Sequence, residues 1–137
     1  MTVGQFLLAA AGTALLASCS TAPADQSRSP QAARELADAL EGRIAGPPQR
    51  CIDSYRAREV QVIDEWTILY RDGRTVYVQN PRGGCPGLGR GSTLVTRQIG
   101  TSQFCDGDIH QTVDLLSRTA RAACVFGPFI PYTKPAS

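Results

Sequence analysis

His110 is the only histidine of the chain, and it closes the run Asp106-Gly107-Asp108-Ile109-His110. Carboxylates one residue apart can share a hard cation, and an imidazole beside them can act as a base or a further ligand. Such a set would suit a small hydrolase or a metal-dependent enzyme. The run lacks the additional oxygen ligands and the terminal glutamate of a calcium hand. On an alternating strand His110 would also face away from Ile109, so a turn leading into a strand is the plain reading. The expectation is therefore no metal, with Asp106, Asp108 and His110 as the candidates should one bind.

Other reactive arrangements are weaker. A serine triad would have to use His110, yet there is no Gly-x-Ser-x-Gly elbow, and Ser92, Ser102 and Ser117 are ordinary loop serines. Asp64-Glu65 offers two carboxylates, but adjacent side chains point apart and the pair reads as a turn. The segment Gly83 to Gly91 is glycine-rich and flanked by Arg82 and Arg90. Its backbone N–H groups could form an anion-binding nest, although it has neither the Gly-Lys-Ser/Thr of a phosphate loop nor a third glycine at dinucleotide spacing. We read it as a connection around a disulfide, and the wider loop from Asn80 to Gly91 as the contact loop for a partner, with Arg82, Gly84, Gly87 and Arg90 as its candidate residues. Tyr55, Trp66, Tyr70 and Tyr77 serve equally well as contact anchors or as core.

The cysteines say where the chain works. Phe6 to Leu16 is apolar and uncharged, the length of a signal-peptide core and too short to span a bilayer. Leu16-Ala17-Ser18-Cys19 follows and resembles the lipobox of bacterial lipoproteins, which implies covalent diacylglycerol on Cys19 and anchoring to a membrane. The segment before the apolar run, Met1 to Gln5, lacks the usual positive charge. By the sorting pattern of the lipoproteins it resembles, Ser20, which is not Asp, permits transfer to the outer membrane. The remaining cysteines, Cys51, Cys85, Cys105 and Cys124, are even in number, which in an exported chain predicts two disulfides. Three pairings are possible. Loop closure favours Cys85 with Cys105 and Cys51 with Cys124. A zinc site is disfavoured because no paired C-x-x-C spacing occurs.

Fourteen basic residues against twelve acidic ones give a formal net charge of +2. That balance gives no reason to expect nucleic acid as a partner. Residues 1–18 read as a lipoprotein signal peptide, 19–29 as a disordered tether rich in Ala, Ser and Pro, and 30–137 as one domain. Ser29-Pro30 is an N-cap followed by proline at the first helical position. Leu36, Leu40 and Ile44 recur every four residues, predicting a short amphipathic helix that docks on its own domain and stops before Pro47-Pro48. Beyond Cys51 the period becomes two. Strands are expected around 60–63, 67–70, 75–78, 93–99, 109–115 and 124–132, with a hairpin at Asp72-Gly73. The predicted fold is mainly β: a small antiparallel barrel or rolled sheet of five to six strands with one N-terminal helix and two disulfides.

The succession Gly46-Pro47-Pro48 before Cys51-Ile52, Ile63-Asp64, Thr67-Ile68-Leu69-Tyr70, Cys85-Pro86-Gly87-Leu88, Cys105 with Asp108-Ile109, and Cys124 before Gly127-Pro128-Phe129 resembles a domain-of-unknown-function family of small proteobacterial exported proteins and lipoproteins. The resemblance implies the export compartment and the two-disulfide frame, and it brings no activity. The leading expectation is a non-catalytic cell-envelope lipoprotein facing the periplasm, binding an envelope protein or glycan. The alternatives are the hydrolase or metal enzyme around His110 and an inhibitor of an envelope hydrolase.

Overall fold

The structure, a computed structural model, describes residues 28–136. The expected signal peptide, Cys19 and nearly all of the expected tether lie outside that range. Helix α1 (Pro30–Leu40) begins where the sequence places it: the Ser29 hydroxyl accepts the Ala32 N–H at 3.1 Å and Pro30 occupies the first turn. Its stripe ends at Leu40. Ile44, expected to continue the stripe, instead lies exposed in the two-residue strand β1 (Ile44–Ala45), because the chain turns at Gly42 with φ +65°.

The other strands are β2 (Cys51–Asp53), β3 (Glu59–Asp64), β4 (Thr67–Asp72), β5 (Thr75–Gln79), β6 (Ser92–Thr96), β7 (Gln103–Cys105), β8 (Ile109–Asp114), β9 (Ala120–Val125) and β10 (Phe129–Thr133). All pairings among them are antiparallel, in a five-stranded sheet ordered β1-β10-β5-β4-β3, a three-stranded sheet β6-β8-β9 and the pair β2-β7. The expected mainly β fold with one helix is present, but as open packed sheets and not as a closed barrel. Ten strands among the described residues exceed the six expected for two reasons. Gly127-Pro128 splits the last apolar run into β9 and β10, and β1, β2 and β7 are too short to show a period.

Alternation divides the five-stranded sheet between two cores. Ile68, Tyr70 and Phe129 point to one side and pack with Ile52, Leu88, Cys124 and Phe126 beneath the smaller sheets. Leu69, Val76 and Val78 point to the other and pack with Ala32, with Leu36, Ala39 and Leu40 of α1 against them. The helix thus docks on its own domain, making a helix layer, a central sheet and a layer of small sheets.

Both disulfides form, with partners exchanged relative to the expectation. Cys51 pairs with Cys105 and Cys85 with Cys124. The cause is register. β2 and β7 align so that Cys51 and Cys105 lie directly opposite, with Cα atoms 4.1 Å apart. Cys124, on the inner side of β9, meets Cys85 of the glycine-rich loop across the buried core. Closing the shortest loop was the wrong criterion, because the sheet ladder had already brought more distant residues together.

Candidate functional site

The candidate catalytic trio does not converge. Asp106 forms an ion pair with Arg82. Asp108 turns back to accept the Cys105 N–H at 2.7 Å, closing the turn before β8. His110 points inwards, as alternation predicts, and is fully buried, while its neighbour Ile109 stays 66% exposed. Its ring stacks on Phe126 with centroids 3.5 Å apart and planes inclined by 18°, and the Phe104 ring meets it edge-on. Nδ1 lies 2.6 Å from the Thr96 hydroxyl across the β6–β8 ladder. Nε2 and the hydroxyl of Thr112, two residues along the same inner face, find no hydrogen-bond partner among the described residues.

Burial pushes the imidazole down to about 4, against a weaker upward pull from Asp108. At neutral pH the ring is an uncharged element of the core. The ring is enclosed by the core, and Asp106, Asp108 and His110 each take a different partner; among the described residues no group of three His, Cys, Asp or Glu side chains is placed to hold a metal ion. Asp64-Glu65 divides in the same way. Asp64 pairs with Arg28 and accepts the Trp66 N–H, whereas Glu65 accepts the Gly87 N–H at 2.8 Å.

That last bond defines the glycine-rich loop. A carboxylate of the chain itself occupies the N–H that an external anion would use, and the Glu65 carbonyl accepts the Cys85 N–H at 2.7 Å. Gly84 is buried at φ +76°, and a Cβ there would stand 3.0 Å from the Trp66 ring. Arg82 reaches Asp106, and its own N–H bonds the Val125 carbonyl. Of the four candidate contact residues, Gly84 is therefore internal and Arg82 is engaged. Gly87 and Arg90 remain exposed beside Pro86. Of the aromatic candidates Tyr70 is core, Tyr77 and Trp66 are half-buried, and Tyr55 alone is open, 68% exposed.

Sequence reasoning missed the partner of His110. Phe126 was legible only as part of an apolar run. It also missed the outward side of β6-β8-β9, where Val95 and Ile109 are exposed; alternation about the inward His110 and Thr112 was the available signal.

Fold and bonds together define a mainly β, antiparallel, doubly disulfide-bonded domain with one docked helix. Comparison with protein-family models, curated proteins and solved structures finds no match to the chain.

Proposed function

We propose that the chain is a lipid-anchored module of the bacterial cell envelope that acts by contact, binding or bracing a neighbouring envelope protein or glycan from the periplasmic side. The observation that carries this reading is the use of the cysteines. Two disulfides take four of the five, and the fifth is Cys19 at the lipobox-like Leu16-Ala17-Ser18-Cys19. Disulfides of this kind belong to oxidising compartments. The resemblance of the chain's cysteine contexts to those of small exported proteobacterial proteins supports the reading, and Ser20 favours the outer membrane. Blocking an envelope hydrolase is one form such contact could take.

The contact surface within this proposal is the exposed part of the loop from Asn80 to Gly91, held rigid by Cys85–Cys124 and by the Glu65 contacts. Loops on a stapled scaffold are frequent recognition elements. A photo-crosslinking residue in place of Arg90, in the full chain within native envelopes, tests this. A reproducible neighbour captured there and not from a crosslinker at Glu59 is expected. Equal capture at both positions, or none, rejects the loop as a contact surface. Mass analysis of the mature N-terminus tests the anchor, with an unmodified Cys19 as the losing result.

A further inference from the structure

The outward side of the β6-β8-β9 sheet carries apolar residues where it is uncovered. Val95 and Ile109 are 44% and 66% exposed, and both line an open groove of about 660 Å³ together with Arg97 and Asp108. Ile99, in the loop after β6, is 89% exposed, and Leu116, in the turn after β8, is 96% exposed. Because β6 and β8 are antiparallel, with Thr96 opposite His110 and Ser92 opposite Asp114, these two tips lie at opposite ends of one sheet. At about 3.4 Å per residue the ends are separated by roughly 15–20 Å. Val95, Ile99 and Ile109 thus cluster about one groove at the Thr96–His110 end of the sheet, and Leu116 stands apart at the other end.

Chain length and charge identify what would cover these side chains. Cys19 precedes Arg28 by nine residues, a span of at most about 30 Å when extended. The helix layer that Arg28 enters and the β6-β8-β9 layer lie on opposite sides of the central sheet, about 20 Å apart between mid-planes at roughly 10 Å per packed layer and about 25 Å to the outward side chains, so the tether reaches them only near full extension. A bilayer holding Cys19 is within reach of these side chains. Arg97 beside the groove and Arg118 beside Leu116 make no ion pair among the described residues. Asp114 pairs with Arg121, while Asp108 meets only the neutral Cys105 N–H and lines the groove beside Arg97, so Arg97 and Arg118 leave one guanidinium in excess over carboxylate. A guanidinium in excess beside apolar tips suits anionic phospholipid headgroups above acyl chains.

We propose that Ile99, Ile109 and Leu116 form a second membrane contact, resting the domain against the anionic bilayer that holds its anchor. This rests on the acylation of Cys19 proposed above. The test uses the full chain, purified from membranes and reconstituted in vesicles of phosphatidylethanolamine and phosphatidylglycerol, with and without brominated acyl chains. Tryptophan replaces Ile99, Leu116 or, as a control at the far sheet edge, Val60; all three positions are exposed, so the cores are left intact. Brominated lipid is expected to remove about half of the added emission at 99 and 116, as shallow insertion implies, and none at 60. With Cys19 shown by mass to be acylated, unquenched emission at 99 and 116 overturns the contact while the anchor stands. The same holds for equal quenching at all three positions, or for an emission shift that follows protein concentration and so reports a second copy. An unmodified Cys19 removes both the anchor and the contact built on it.

Discussion

His110 lies flat against Phe126, ring centroids 3.5 Å apart, so the only histidine of the chain is packed as an aromatic plate inside the core. The stack joins β8 to the residue that follows β9, and the Thr96 hydroxyl fixes its far side. The geometry tolerates a neutral imidazole and opposes a charged one.

Acid should therefore destabilise the domain through this residue. The folded-state value is about 4, against about 6.5 in an unfolded chain, so between these values the unfolded state binds the proton that the folded state refuses. The His110 contribution is intact above pH 6.5, declines as pH falls towards 4 and is flat below, a loss of about 3 kcal/mol in all. Urea unfolding of wild type and His110→Phe across this range checks it. The wild type should lose stability relative to the variant as pH drops, and parallel curves would show that the ring is not buried in solution.

Alternation announced that His110 and Ile109 face opposite ways, and Ser29-Pro30 and Asp72-Gly73 announced a helix start and a hairpin. Each of these is local chemistry: a hydroxyl reaching the Ala32 N–H, a positive φ at Gly73 that glycine accepts without strain. How deep His110 lies is not local, because it depends on Phe126 and Phe104 arriving from other segments. The disulfide partners were hidden for the same reason. Three-residue strands such as β2 and β7 carry almost no periodic signal, and their register alone puts Cys51 opposite Cys105. Asp106 and Asp108 looked like a site because they are neighbours in sequence, and they separate because each has a nearer partner, Arg82 and the Cys105 N–H.

The exchanged pairing makes a direct chemical prediction. Proteolysis without reductant should release peptides joining Cys51 to Cys105 and Cys85 to Cys124; a Cys85–Cys105 peptide would refute the register of β2 and β7. Cys85 and Cys124 are buried, while Cys51 and Cys105 are half-buried. A thiolate must reach the sulfur it attacks, so mild reductant should open Cys51–Cys105 first, as timed alkylation and mass mapping will show. The sequence separations of 54 and 39 residues correspond to about 4 kcal/mol of unfolded-state restriction for each bridge.

Gly84 and Gly83 separate backbone strain from crowding. Both have positive φ, +76° and +74°, but a Cβ at Gly83 meets nothing within 4 Å, whereas at Gly84 it stands 3.0 Å from the Trp66 ring. Gly83→Ala should cost about 1 kcal/mol, the penalty for a left-handed conformation. Gly84→Ala should cost about 1–2 kcal/mol more, because the ring or the loop must move. Equal midpoints in chemical denaturation would mean that Trp66 does not lie over the loop.

Gln79 holds the sharp passage from β9 to β10. Its side-chain carbonyl accepts the Gly127 N–H and its amide donates to the Gly127 carbonyl, both at 2.8 Å and fully buried. The approach is so close that a Cβ on Gly127 would stand 2.8 Å from the Asn80 carbonyl oxygen. Water cannot replace a partner in that space. Gln79→Leu keeps much of the volume and leaves two buried backbone groups unsatisfied, each costing about 1–3 kcal/mol, so a loss of about 3 kcal/mol or more is expected in urea unfolding at neutral pH. Gln79→Glu retains the acceptor, removes the donor and buries a carboxylate. Its deficit should therefore shrink as acid protonates that group and restores a donor. A Gln79→Leu variant as stable as wild type would show that the Gly127 turn is held by packing alone.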